Sequence, residues 1–156
     1  LRGDGTVGNQ FAARVHGIKS HQLASAPTFK EIFHSYEEFI DGRIPVAHNA
    51  SFDRARINYE LEIIRKKPLE IMACTLSLGI ELGYGKLKLS EAASQFGIDT
   101  GRSHRALDDA KATTEILHNL LERLGSTQIH TIEELLDFAK NAAHIQRKNY
   151  WGLSSI

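Results

Sequence analysis

Two short segments of the sequence combine residue types that can do metal or acid–base chemistry. In the first, the apolar pair Val46-Ala47 is followed by a polar turn and then by Asp53, in the first turn of a predicted helix. A carboxylate at that position is held on rigid backbone and directed into the cleft beyond the strand end. A simpler interpretation is also open, because negative charge at a helix N-terminus is stabilised by about 0.3–1 kcal/mol and aspartates are common there.

The second segment runs from His104 to Asp109 and leads into the longest predicted helix. Histidine can accept a proton from water near neutral pH, and a nearby carboxylate can hold a divalent cation. Asp108 and Asp109 cannot both face one site, because neighbouring residues on a helix point about 100° apart. Taken alone, the segment is better explained as a loop histidine followed by ordinary helix-start acids.

The elements that must position these segments alternate between short apolar strands and amphipathic helices. Thr28 and Glu31 form a capping-box pattern at the start of a helix that Gly42 ends. Its apolar positions predict one buried face: Phe29, Ile32, Phe33, Tyr36, Phe39 and Ile40. Residues 1–11 predict a broken hairpin. Further strands are predicted at residues 44–47 and 69–75, and further helices at 52–65, 75–82, 89–96, 105–124 and from 131 onward. This alternation predicts an α/β fold.

The long helix is predicted to bury one face, and Gly125 follows it as a C-cap. The predicted buried positions are Ala106, Ala110, Leu117, Leu120, Leu121 and Leu124. A last helix, capped by Thr131, carries further apolar residues, namely Ile132, Leu135, Leu136 and Phe138.

Taken together, the two segments resemble the second and third motifs of the DEDDh 3′–5′ exonucleases, the family of the proofreading epsilon subunit of bacterial DNA polymerase III. Residues 48–53 match the middle motif, and His104 with Asp109 matches the last, with Ala106 at its usual place between them. Residues 15–18 and 74–76 are also similar to family stretches. In this order and spacing, the four matches are specific, and the histidine separates this branch from relatives that use tyrosine.

The resemblance implies an RNase H-like fold, with a central mixed sheet flanked by helices, and two-metal hydrolysis of a phosphodiester. Asp53 and Asp109 would help to hold two Mg²⁺ or Mn²⁺ ions, which prefer oxygen ligands. His104 would act as the general base toward the attacking water.

The resemblance also implies residues that contact the substrate. The pocket for the 3′-terminal nucleotide would be lined by His16, Gly17 and Ile18, and the wall beside Asp53 would be shaped by Asn49 and Phe52. His16 is equally compatible with a packed loop histidine. For His48 a structural role is favoured over a catalytic one.

The first motif of the family, Asp-x-Glu on the first strand, does not occur in this sequence. We therefore expect the chain to begin near the end of the family's second strand and to show little or no nuclease activity by itself. Two explanations are open: residues precede Leu1 in the biological protein, or the domain is degenerate and binds without cutting. The first is favoured, because losing a central strand could sacrifice several kcal/mol of a total stability of about 5–15 kcal/mol.

Composition narrows the class of protein. Nineteen basic and nineteen acidic residues cancel, which argues against a protein that coats long stretches of duplex but not against an enzyme that grips a few nucleotides. The single cysteine, Cys74, excludes an internal disulfide framework and suits a reducing compartment, so we expect a cytoplasmic protein. No apolar run approaches the roughly 20 residues that span a bilayer, so no membrane partner is expected.

We predict an N-terminally incomplete exonuclease domain in residues 1–125, and a C-terminal helical extension or the start of a linker in residues 126–156. An apolar cluster in the extension, Tyr150, Trp151, Leu153 and Ile156, either docks on the domain's own core or forms a partner site. The favoured function is release of nucleotides from single-stranded 3′ ends of DNA during proofreading or repair, beside a DNA polymerase or another replication subunit. The alternatives are a binding or assembly module of a replication or repair complex and an RNA-trimming exonuclease.

Overall fold

The computed structural model describes residues 17–100, 105–125, 129 and 131–138. The elements in chain order are α1 (Ser20–Ala24), α2 (Phe29–Ile40), β1 (Val46–Ala47), α3 (Ala50–Ile63), β2 (Ala73–Cys74), α4 (Thr75–Glu81), α5 (Leu89–Gln95) and α6 (Ala106–Leu124). Residues 132–138 form a further helix, α7. The predicted helices that fall in this part of the chain are confirmed, whereas the hairpin predicted in residues 1–11 lies outside it.

A small parallel sheet brings together two segments that are separated by α3. Val46 lies opposite Ala73, and Ala47 lies opposite Cys74. The backbone N–H of Ala73 also donates to the carbonyl of Pro45 at 2.9 Å. Both strands are shorter than predicted. Within the described residues the sheet consists of these two strands, so the chain shows a mostly helical, partial α/β arrangement rather than the full mixed sheet of the prediction.

The hydrophobic core lies where α4, α5 and α6 meet. Its buried side chains come from all three helices: Leu78, Ala92, Ala93, Ile116, Leu120 and Leu124. Partly buried side chains complete it, among them Leu87, Leu135 and Phe138. Since Leu78, Ile116 and Leu120 are each only 1% exposed, this core fixes α6 against α4. The same helix also contacts β1, so the core determines where α6 meets the sheet.

The capping box of α2 is confirmed. The N–H of Thr28 donates to Glu31 Oε2 at 2.7 Å, and the N–H of Glu31 donates to Thr28 Oγ1 at 3.3 Å. Phe29 is 5% exposed and contacts the rings of Phe33 and Tyr36. The predicted burial of Phe39 is wrong, because this side chain is 74% exposed. It lies ten residues beyond Phe29, about 80° from the buried stripe on a helix of 3.6 residues per turn.

The buried face of α6 also differs from the prediction. The residues that are buried are Ala112, Thr113, Ile116, Leu120 and Leu124. Ala106 and Ala110 are exposed, and Leu121 is 38% exposed. Helical geometry explains the difference, since Leu121 points about 140° away from Ile116. Alanine and leucine are frequent all around this helix, so their mere presence did not identify the face.

The C-terminus of α3 forms a Schellman motif. The N–H of Lys66 donates to the carbonyl of Leu61, and the N–H of Arg65 donates to the carbonyl of Glu62, both at 2.9 Å. Arg65 has φ 57, in the left-handed region where glycine is the usual residue. The helix therefore stops at Ile63, two residues earlier than predicted. No helix in the described ranges is long and apolar enough to cross a membrane.

Candidate active site

A sharp turn connects β1 to α3 and determines where Asp53 lies. Asn49 has φ 69 and ψ 49, a left-handed conformation that asparagine tolerates better than most residues. Its carbonyl accepts from the N–H of Phe52 at 3.0 Å, and its side-chain Oδ1 accepts from Ser51 Oγ at 3.3 Å. Only His48 and Asn49 separate β1 from α3, so Asp53 falls in the first turn of a helix that starts close to the end of the strand.

The turn is tied to the start of α4 from both sides. On one side, the N–H of Ala50 donates to Cys74 Sγ at 3.4 Å, and the same sulfur accepts from the N–H of Ser77 at 3.4 Å. On the other side, His48 Nδ1 lies 2.9 Å from Thr75 Oγ1. The parallel pairing of β1 with β2 brings these partners together, although they are distant in sequence.

Both ring nitrogens of His48 are engaged. Nε2 lies 3.0 Å from the carbonyl oxygen of Leu87, which can only accept, so Nε2 carries the proton. Nδ1 then accepts from the hydroxyl of Thr75. Burial lowers the pKa of His48 below its usual range, although the bond to the Leu87 carbonyl partly opposes this. The imidazole is therefore neutral and structural, in agreement with the interpretation favoured from the sequence.

Asp53 is half-buried in the first turn of α3. Burial raises the pKa of its carboxyl above the usual range, and the hydrogen bond from its own backbone N–H partly offsets that effect. No salt bridge to Asp53 occurs among the described residues, so no described cationic side chain neutralises its carboxylate. A partly desolvated carboxylate without a counterion is one that a bound cation would stabilise.

Asn49 and Phe52 precede Asp53 in the same turn. Asn49 is exposed, and Phe52 is 60% exposed. The guanidinium of Arg56 lies over the Phe52 ring, 5.4 Å from its centroid. An accessible aromatic ring beside a carboxylate offers a surface on which a nucleotide base can stack. The sequence prediction did not include Arg56, although its position one helical turn after Phe52 could have suggested it.

Asp109 is half-buried in the first turn of α6. Its N–H donates to the carbonyl of Arg105 at 2.9 Å, and its carbonyl accepts from Thr113 Oγ1 at 2.8 Å. Asp109 precedes Ile116 by seven residues, so it projects within about 20° of that buried side chain, whereas Asp108 projects about 80° away. Asp109 therefore lies on the core-facing side of α6, the helix that contacts β1.

The structure groups some of the predicted site residues and leaves others untested. Asn49, Phe52 and Asp53 share one turn, and Asp109 lies on a helix that packs against the preceding strand. His16 and His104 lie outside the described residues. Gly17 has φ 71, and Ile18 is 42% exposed. Their predicted contact with substrate stays a prediction.

Sequence reasoning missed the network around His48. Residues 74–76 were noted only as a stretch similar to the exonuclease family, and neither Cys74 nor Thr75 was assigned a role. Thr75 is 1% exposed, and a buried hydroxyl requires a hydrogen-bond partner. That requirement was the available signal, since Thr75 stands in an otherwise apolar run, but the sequence did not identify His48 as its partner.

Comparison with known proteins decides the family. The model of the exonuclease family matches residues 7–117, a range that includes both segments discussed above. The chain belongs to the exonuclease family. This membership confirms the resemblance that the motifs indicated.

Individual relatives agree with the exonuclease family. A Mycobacterium tuberculosis protein named as a candidate bifunctional exonuclease/endonuclease is 32% identical over 142 residues, which is 86% of this chain and 22% of that protein. The DNA polymerase III epsilon subunit of Treponema pallidum is 30% identical over 125 residues, 77% of this chain and 58% of the relative. The DNA polymerase III epsilon subunit of Buchnera aphidicola is 36% identical over 148 residues, which is 88% of this chain and 62% of the relative. The chain thus spans less than two thirds of each of these relatives.

Members of the exonuclease family generally use divalent metal ions, and the described residues fit such an ion in part. Asp53 and Asp109 offer the oxygen donors that hard cations prefer. However, no cluster of three or more His, Cys, Asp or Glu side chains occurs among the described residues. These residues therefore supply part of a ligand set rather than a complete one.

Proposed function

We propose that this protein is a metal-dependent exonuclease that releases nucleotides from the 3′ ends of DNA. The observation that supports the proposal most directly is the half-buried Asp53, whose carboxylate has no described counterion, in a chain of the exonuclease family. Asp109 supports it further, since this residue lies on the core-facing side of the helix that packs against β1. The relatives that are named as DNA polymerase III epsilon subunits favour DNA as the substrate, and the motif resemblance favours the 3′ end as the site of attack.

In this proposal, Asp53, Asp109 and His104 have different roles in the hydrolysis. Asp53 and Asp109 hold Mg²⁺ or Mn²⁺ through their carboxylate oxygens. Bound cations would polarise the scissile phosphate and lower the pKa of a nearby water. His104 accepts the proton of that water, a task that suits an imidazole near neutral pH.

The substrate contacts follow from exposure and from the family resemblance. Phe52 stacks against a base near the 3′ end, and Asn49 offers its amide to the sugar or phosphate. His16, Gly17 and Ile18 line the pocket for the terminal nucleotide. The motifs are shared by DNA and RNA enzymes, so RNA trimming is the alternative substrate class, and it would require contacts to the 2′-hydroxyl.

A second candidate function is a catalytically incomplete module that binds nucleic acid or assembles a replication complex. The epsilon relatives are named as polymerase subunits, which supports association with a DNA polymerase or another replication subunit under either proposal.

The deciding experiment uses the full-length gene product that contains this sequence and a single-stranded DNA labelled at its 5′ end. With Mn²⁺ or Mg²⁺ we expect a ladder that shortens from the 3′ end, and EDTA should abolish it. Asp109→Asn should lower the rate by more than about 100-fold, since even residues that only support a metal ligand cost about 10–100-fold when removed. Asp108→Asn is the matched control and should keep nearly full activity, because its side chain points about 100° away.

Each outcome separates the candidates. Binding of the labelled DNA without cleavage in either metal would contradict the nuclease proposal and support the binding module. Equal losses in Asp108→Asn and Asp109→Asn would contradict the assigned ligand. An RNA of the same sequence that is cut faster than the DNA would move the substrate class to RNA.

A further inference from the structure

His48 joins three segments that are far apart in the chain. Its ring contacts Thr75, 27 residues away at the start of α4, and the carbonyl of Leu87, 39 residues away in the loop before α5. We call this arrangement the His48 bridge. Because His48 directly follows β1, the bridge fixes the point from which the turn into α3 departs.

The geometry of the His48 bridge leaves little freedom. A carbonyl only accepts, so the Leu87 oxygen determines which ring nitrogen carries the proton, and Nδ1 must receive the hydroxyl of Thr75. Thr75 is 1% exposed, so water has little access to replace either partner. An imidazole held at both nitrogens has a fixed ring plane, and the backbone that carries it is fixed in turn.

A second contact restrains the turn two residues later. The N–H of Ala50 donates to the Sγ atom of Cys74, and Cys74 is the residue adjacent to Thr75. The turn between His48 and Ala50 is thus attached at both ends to neighbouring residues at the junction of β2 and α4. Asp53 lies three residues beyond Ala50 on the same helix, so any displacement of the turn also displaces its carboxylate.

We propose that His48 and Thr75 are positioning residues for Asp53, and that the His48 bridge sets the direction in which this carboxylate meets a divalent cation. The inference rests on the proposed function as far as the cation is concerned. His48 acts through the turn and does not touch the reacting atoms, since both of its ring nitrogens are engaged within the protein.

The test removes one hydroxyl and measures cation binding directly. Thr75→Val is close in shape to threonine but cannot donate to His48, whereas Thr75→Ser keeps the hydroxyl. Mn²⁺ binding to the full-length protein is titrated by electron paramagnetic resonance, and amide hydrogen exchange is followed at residues 49–53. We expect Thr75→Val to weaken Mn²⁺ binding by about 10-fold or more and to accelerate that exchange, because groups that orient metal ligands typically affect affinity by about 10–100-fold. Thr75→Ser should restore most of both.

Leu124→Val is the control for a general loss of stability, because it removes one buried carbon atom from the core at the C-terminal end of α6. It should leave Mn²⁺ affinity and exchange at residues 49–53 unchanged. The proposal is overturned if Thr75→Val binds Mn²⁺ like the wild type, or if Leu124→Val loses as much affinity. If the wild type binds no Mn²⁺ at all, the proposed function fails, and exchange in Thr75→Val then decides whether the His48 bridge holds the turn.

Discussion

Replacing His48 with glutamine tests whether the folded protein holds this imidazole neutral. Burial lowers its pKa in the folded state, whereas an unfolded histidine titrates near 6.5. Below about pH 6.5 the unfolded chain therefore binds a proton at this residue, and the folded chain binds it only at lower pH. The stability that neutral His48 contributes is complete above about pH 6.5 and is lost as the pH falls through the folded pKa.

The size of the effect at pH 7.5 follows from the two hydrogen bonds. Glutamine can still donate its amide N–H to the Leu87 carbonyl, but its acceptor Oε1 is bonded to the same carbon as that N–H and does not occupy the position of Nδ1. The hydroxyl of Thr75 therefore loses its partner. A hydrogen bond contributes about 0.5–1.5 kcal/mol net, and an unsatisfied buried group costs about 1–3 kcal/mol. We therefore expect His48→Gln to lower the free energy of unfolding by about 1–2 kcal/mol, which lowers Tm by about 2–8 °C.

The assay is urea denaturation of the wild type and of His48→Gln between pH 5 and 8. The gap between their free energies of unfolding should narrow as the pH falls below about 6.5, because only the wild type loses the contribution of neutral His48. His34→Gln is the matched control: its side chain is 82% exposed, and it should follow the wild type within experimental error. Parallel curves for the wild type and His48→Gln down to pH 5 would refute the reasoning.

Three further predictions concern stability at other positions in the chain. Burial raises the pKa of Asp53, so the charged carboxylate destabilises the fold. Without divalent cations, Asp53→Asn should therefore raise Tm at pH 7, and this increase in Tm should vanish below about pH 3.8. Asp108→Asn is the control and should not raise Tm in this way. Ile116→Ala should lower the free energy of unfolding in urea by about 2–5 kcal/mol, and a loss below about 1 kcal/mol would contradict its burial. Arg65→Gly should raise that free energy by about 0.5–1 kcal/mol, because glycine adopts the left-handed conformation without strain; a destabilised variant would contradict the Schellman motif.

The helix starts were predictable because their chemistry is local. Thr28 with Glu31 was recognised as a capping box, and both of its hydrogen bonds are present. Thr131 was also predicted as a cap, and it exchanges hydrogen bonds with Glu134. In each case the donors and acceptors lie within three residues, so the sequence contains the whole interaction. The buried face of α6 was not predictable in this way, because it depends on where α4 and α5 pack.

The same distinction between local and long-range interactions holds for the candidate site. Asn49, Phe52 and Asp53 lie within five residues of one another in the sequence, and motif spacing was enough to single them out. The partners of His48 are Thr75 and the carbonyl of Leu87, and only the pairing of β1 with β2 brings them together. Thr75 and Leu87 lie 27 and 39 positions after His48, and no spacing rule connects residues so far apart. The sequence could therefore favour a structural His48 without identifying its partners.

The two pKa shifts within residues 48–53 restrict which histidine can serve the chemistry. Asp53 is partly buried without a described counterion, so its charged form gains the most when a cation arrives. His48 stands five residues earlier and could be mistaken for the base of the same motif. To accept a proton from water it would have to release Thr75, and burial already disfavours its charged form. A general base must accept that proton readily near neutral pH, so His48 is unsuited to the task, and the proposal assigns it to His104.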